Sequence, residues 1–226
     1  MLLHLFLVRH GQTYFNRYNR MQGWSNSPLT DKGQQDALHA AQALHAIHFS
    51  AAYSSDMTRA EQTARTILRK NETASENLLC VSPYFREQFY GYFEGQDINM
   101  SWYAVGAPHG AKTYQDIVNQ YGLAATKDFM KEADPFHDAE NNYEYWERIQ
   151  QGFRLIAHDA QSFQQSDSDH NILIVTHSNT LMNLIQRFNS KNVSIPGKPQ
   201  NGSVTIATFD TDKDFAHSIE IDSYTE

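Results

Sequence analysis

A chain of 226 residues has the length of one large domain, or of one domain carrying an insertion. It can bury roughly 70 to 75% of its unfolded surface, so no disulfide or metal is needed to hold it together. A net charge of −8 has the wrong sign for a protein that grips nucleic-acid phosphates, 12% aromatic residues argue against disorder, and the single Cys80 excludes an internal disulfide.

The chain opens on a short apolar run, residues 2–8, which reads as a buried strand and leads into Arg9-His10-Gly11-Gln12-Thr13. The run has no basic leader and no small-residue cleavage site, and no later stretch is long and apolar enough to span a bilayer. With the lone cysteine, this sets the expectation of a cytoplasmic protein. Thr30 is placed to cap a helix whose apolar positions are Ala37, Leu38, Ala41, Leu44 and Ile47. Residues 51–54 form a second strand. Asp56 is expected to cap the next helix, with Ala60, Ala64, Ile67 and Leu68 inward and Arg59 in its first turn.

Residues 78–82 read as a third core strand and lead to Phe85-Arg86-Glu87. Residues 96–142 interrupt the alternation, with Gly106, Pro108, Gly110 and Pro135, many aromatics and only a weak helical pattern near 114–121. They are read as an inserted lid folding over one end of the sheet. A long helix at about 144–164 follows, with a stripe of Trp146, Ile149, Phe153, Ile156, Ala160 and Phe163. Residues 161–170 read as a polar connection, and 172–176 as the clearest buried strand, leading into His177-Ser178-Asn179. The helix starting at Ser178 presents Leu181, Met182, Ile185 and Phe188. Strands at 204–209 and 217–221 flank an acidic turn and read as an antiparallel pair. Alternating strands and helices imply a single α/β domain, a three-layer α/β/α sandwich with a mostly parallel central sheet.

Ligands of such sheets bind beyond the carboxyl ends of the strands. His10 and His177 each follow a strand directly, Arg9 stands beside the first, and Arg59 and Glu87 follow the second and third strands. Arginine forks match phosphoryl oxygens and stay charged, and an imidazole beside them stays neutral and nucleophilic. A nearby carboxylate can protonate a leaving oxygen and then activate water. These are the parts of phosphoryl transfer through a phosphohistidine.

The same residues carry a resemblance. Leu7-Val8-Arg9-His10-Gly11-Gln12-Thr13 with Asn16, Pro28-Leu29-Thr30-Asp31-Lys32-Gly33, the block from Tyr53 through Arg59 to Ala64, the block from Arg86-Glu87 to Glu94-Gly95, and Ile174-Val175-Thr176-His177 occur in order. Together they resemble the histidine phosphatase superfamily, of the phosphoglycerate-mutase-like fold. The resemblance implies that His10 is the phosphorylated nucleophile and Glu87 the proton donor. It implies a phosphate pocket of Arg9, Arg59 and His177, with Asn16 as a further donor. Glu94 and Gly95 match the motif but read as structural. Ser178 departs from the glycine that often follows the second histidine, and adds a hydroxyl that could meet substrate.

The reading is therefore a hydrolase: a metal-independent phosphomonoesterase whose partner is a small phosphorylated substrate, with no cofactor, no nucleic acid and no membrane. The other histidines lack ligand spacing, and only His109, in the lid, stands out among them. A cofactor-dependent phosphoglycerate mutase is the alternative within the family. It is disfavoured because the lid holds only Lys112, Lys127 and Lys131, without paired arginines. A non-catalytic phosphate-binding regulatory module is disfavoured because all five catalytic positions are present.

Overall fold

Leu3, Leu5 and Leu7 point to one side of the first strand and Phe6 and Val8 to the other, so it can only sit in a sheet covered on both faces. In the computed structural model, which describes residues 1–163, 170–194 and 197–225, it does so. β1 (Leu2–Arg9), β2 (Phe49–Ser54), β3 (Leu79–Val81), β4 (His170–Thr176), β5 (Val204–Asp210) and β6 (Ile219–Thr225) form one sheet in the order β3-β2-β4-β1-β5-β6. The pairs β2–β3, β2–β4 and β1–β4 are parallel, while β5 runs antiparallel to both β1 and β6.

Helices fill both faces. α2 (Asp31–Ala43) and α3 (Thr58–Lys70) pack Ala40, Ala41, Ala60, Ala64, Ile67 and Leu68 onto Phe6, Val8, Leu173 and Val175. α6 (Asn142–Ala160) and α7 (Ser178–Phe188) cover the opposite face with Tyr145, Ile149, Phe153, Ile156, Leu181 and Leu184. The four-residue α1 (Tyr14–Arg17) follows β1. Thr30 caps α2 as expected, its hydroxyl accepting from the Gly33 amide at 3.0 Å.

Four expectations need correction. β3 is three residues long and only half buried, an edge strand rather than a core strand. Asp56 does not cap α3: Met57 occupies that position without a side-chain bond, and Asp56 is drawn off to pair with Arg86. The buried member at the start of α6 is Tyr145, with Trp146 only partly covered. The helix ends at Ala160, and residues 164–169 of the expected polar connection lie outside the described residues.

Residues 96–142 are more helical than their pattern predicts. α4 (Ile98–Gly106) starts on Asp97, whose carboxylate accepts from the Asn99 and Met100 amides. α5 (Tyr114–Ala133) is broken at Gly122, where a φ of 83° sets two helical pieces end to end. Trp102, Val105, Ile117 and Met130 form a separate apolar cluster seated on Met21, Tyr90 and Phe93.

Candidate active site

The parallel pairing of β1 with β4 sets Arg9 opposite Thr176, so both strands end at the same level. The His10 amide donates to the Thr176 carbonyl at 3.1 Å, and the His10 and His177 rings meet edge to face with centroids 5.1 Å apart. Both rings are buried, at 3% and 1% exposure. Arg59 reaches them from the first turn of α3. Its Nε–H stands 3.3 Å from Nε2 of His10 and 3.2 Å from Nδ1 of His177.

These contacts fix the protonation pattern. His10 Nδ1 lies 2.7 Å from the Gly11 carbonyl, which can only accept, so Nδ1 carries the hydrogen and Nε2 is the bare lone pair. His177 accepts at Nδ1 and donates from Nε2 to the Ser55 hydroxyl at 2.7 Å. Burial, and then the charge of Arg59, hold both imidazoles well below their usual range, with Arg9 pushing His10 the same way. Burial also lowers Arg9 and Arg59 to about 10, partly offset by Glu87, and both stay charged at neutrality.

The guanidinium of Arg59 is held by backbone. Its Nη1 donates to the Ser25 carbonyl at 2.9 Å and its Nη2 to that of Gly23 at 2.7 Å. That loop is in turn tied to Glu94, whose carboxylate accepts from the Gly23, Trp24, Ser25 and Tyr90 amides. Arg9 gives Nη1 to the Pro199 carbonyl at 2.7 Å, and its buried Nε has no partner among the described residues.

Glu87 is 4% exposed and sits at the start of α7. It accepts from the Asn179 amide at 2.7 Å, the Thr180 hydroxyl at 3.0 Å and the Gln88 amide at 3.1 Å. The Asn179 amide, at the N-terminus of α7, is thus spent on Glu87. Ser178 is buried and its hydroxyl has no partner among the described residues. Asn16 completes the capping box of α1 with its side-chain oxygen, accepting from the Thr13 amide at 3.1 Å.

Arg9, His10, Asn16, Glu87 and Ser178 all line one cavity of about 680 Å³. Arg59 and His177 lie directly behind His10. The same cavity takes in groups that motif reading missed: Arg20, Gln22 and Lys198. Lys198 follows α7 by ten residues and precedes β5, where no spacing could flag it. It is exposed as a residue, yet the protein crowding its ammonium and the charge of Arg9 push its pKa down to about 8.

Other sequence readings shift. A Cβ at Gly11 would stand 2.1 Å from the Gly33 carbonyl oxygen, so only glycine permits this backbone crossing over α2. Of the three lid lysines only Lys112 lines the cavity. Lys127 is fully buried against Asn183, and Lys131 pairs with Glu144. His109 stacks on Phe129 at 3.5 Å and meets Glu132, away from the cavity. Among the described residues no cluster of three or more His, Cys, Asp or Glu could hold a metal ion.

Residues 5–106, somewhat under half of the chain, match the family model of the histidine phosphatase superfamily (branch 1). The fold extends the likeness. A phosphoglycerate mutase from Bacillus anthracis str. Sterne superposes over 98% of this chain and 92% of its own, with a TM-score of 0.82 and 29% identity. Fructose-2,6-bisphosphatase TIGAR B of Danio rerio is 39% identical over 93 residues, 41% of this chain and 36% of that protein. A 2,3-bisphosphoglycerate-dependent phosphoglycerate mutase 2 of Gloeobacter violaceus is 34% identical over 91 residues, 40% of this chain and 41% of that protein. The chain thus spans less than half the length of these two curated relatives, and the relatives include both phosphatases and mutases.

Proposed function

We propose that the protein is a metal-independent phosphomonoester hydrolase that works through a phosphohistidine at His10 on a small phosphorylated metabolite. The observation that carries this is the bare Nε2 of a buried, neutral His10, set beside the Arg59 guanidinium at the head of a cavity. Nε2 attacks phosphorus in line, and the bond from phosphorus to the ester oxygen breaks. Arg9 holds the nonbridging oxygens, with Asn16, Ser178 and Lys198 as further donors, and Arg59 and His177 join it by exchanging the bonds they make to the Gly23 and Ser25 carbonyls and to Ser55. Glu87 gives its proton to the departing alkoxide, then takes one from the water that attacks phospho-His10. Water's oxygen leaves with the phosphoryl group as inorganic phosphate, and the imidazole is restored. Residues 96–142 act as the lid that receives the alcohol portion. A cytoplasmic setting, with no nucleic-acid or membrane partner, goes with this reading.

The test is a rapid acid-free quench with 32P-labelled substrate. Label is expected on His10 in the parent and absent in His10→Ala, which should keep its circular dichroism because the residue sits at a strand end. Label on another side chain, or turnover by the folded variant, would overturn the mechanism. A second reading, a cofactor-dependent mutase, draws on Arg20, Lys112 and Lys198 lining one cavity and on the whole-chain likeness to a phosphoglycerate mutase. Release of phosphate against interconversion of phosphoglycerates separates the two. A regulatory module would hold covalent phosphate without turning over.

A further inference from the structure

The cavity is far larger than a phosphoryl group needs, in the range that encloses a drug-sized ligand. Its two ends differ in chemistry. The end at His10 is cationic and hydrogen-bonding. An apolar wall is built by Met21, Tyr90, Trp102, Tyr114, Val118 and Leu123, with Asn99, Thr113 and Gln115 as the polar groups the lid adds to the lining. Met21, Tyr90, Trp102 and Leu123 are themselves buried, at 3 to 8% exposure, so this wall is the dry floor of the lid. The cations Arg20 and Lys112 also touch the cavity, but both are exposed, where water already solvates them. Glu87 is the sole acid lining it among the described residues.

A hydroxyl-rich sugar seated against that wall would lose water without finding enough partners, since aromatic and aliphatic side chains make up most of it. An apolar body would instead release water from both surfaces. Four buried polar atoms in the lining residues lack partners among the described residues: Arg9 Nε and the Ser178 hydroxyl, assigned above to the phosphoryl group, and the Tyr114 hydroxyl and the Gln22 amide nitrogen, which remain for the body of the substrate. These last two provide for one or two polar groups on an otherwise apolar body. Building on the phosphatase reading, we infer that the substrates are phosphomonoesters of bulky apolar or ring-bearing alcohols, recognised by the wall of α4 and α5. Polyanionic or hydroxyl-rich phosphates are excluded from that class.

The experiment compares 2-phenylethyl phosphate with ethyl phosphate, two alkyl esters whose leaving alcohols differ little in acidity, so their ratio reports binding of the body. Glucose 6-phosphate, 3-phosphoglycerate and fructose 2,6-bisphosphate complete the panel. The ratio of kcat/KM for phenylethyl over ethyl ester is expected to be roughly tenfold or more, the scale on which apolar pockets discriminate. Trp102→Ala should collapse that ratio through KM. Because Trp102 helps hold the lid together, the half-buried Val118→Glu is the second variant, and it should collapse the ratio in the same direction. Equal kcat/KM for the two alkyl esters, or a preference for the sugar or glycerate phosphates, overturns the substrate class while leaving the phosphatase reading intact. Release of phosphate from none of the five defeats the phosphatase reading, and the class with it.

Discussion

On the proposed mechanism, His10 draws its reactivity from where its two nitrogens are placed. One is held by a carbonyl one residue away, and the other faces a guanidinium that disfavours any added proton. The sign of the pH effect follows. A base whose pKa is driven down keeps its lone pair as the solution is acidified, so the acid limb of kcat/KM due to His10 falls below pH 6.5. A profile corrected for ionisation of the substrate tests this, and an acid limb at or above pH 6.5 contradicts it. The same burial sets a stability cost. His10 and His177 take up protons in the unfolded chain below their ordinary pKa but not in the folded one, so they weaken the fold as pH drops below about 6.5. Much of this site is legible in the sequence, because His10, Glu87 and His177 all lie within a few residues of a strand's carboxyl end. Ser55 stands inside the quoted block from Tyr53 to Ala64, directly after a strand, yet its role as partner of His177 is set by tertiary packing. Lys198 is not legible at all, because nothing in its neighbours marks it.

Among elements, the loop at 23–25 shows how far the site is supported from outside. Glu94 collects three backbone amides there and a fourth from Tyr90, and the carbonyls of Gly23 and Ser25 then hold Arg59. Glu94→Gln turns one acceptor oxygen into a donor facing N–H groups. The expected loss is about 1–3 kcal/mol in urea unfolding, together with a lower kcat as Arg59 loosens. An unchanged kcat would separate the loop from the chemistry. α5 carries the opposite situation. Lys127 is fully buried, with its ammonium on the Asn183 side-chain oxygen at 2.6 Å and over the Tyr145 ring at 5.1 Å, and burial pushes it down to about 8. Keeping the charge there costs on the order of 3 kcal/mol against an exposed lysine. Lys127→Met is therefore expected to be the more stable protein at pH 7, by about 1–2 kcal/mol after losing the bond to Asn183. Between pH 8 and about 10.5 the unfolded parent binds the proton that the folded parent has shed, so the parent gains stability and the advantage of the variant shrinks. Urea midpoints at pH 7 and pH 9.5 check the sign. The length of α5 escapes sequence reading because Gly122 interrupts its period, and the short β3 reads as a core strand because an apolar run at a sheet edge looks like one in the core.

At the scale of the whole molecule, a chain of net charge −8 gathers Arg9, Arg20, Lys112 and Lys198 around one cavity with a single carboxylate. The local field there, not the overall balance, sets the affinity for phosphate. The guanidinium and imidazole groups supply the charge that a cation would otherwise bring. Prolonged dialysis against EDTA is thus expected to leave the rate unchanged; a loss restored by added divalent metal would contradict this. The layering of the sheet, the antiparallel end at β5 and β6 and the edge at which the motifs meet follow from alternation and strand order. Among the described residues no helix is long and apolar enough to cross a membrane.

The apolar cluster of α4 and α5 sits on Met21, Tyr90 and Phe93 and shares no residue with the two clusters that flank the sheet. Lys127 and Lys131 fasten the same segment to Asn183 of α7 and Glu144 of α6. On the proposed reading, selectivity and bond-breaking then rest on separate apolar bodies joined by a few seams. A graft of residues 96–142 from a relative, made with those seams matched, would be a transplant of appetite onto an unaltered engine.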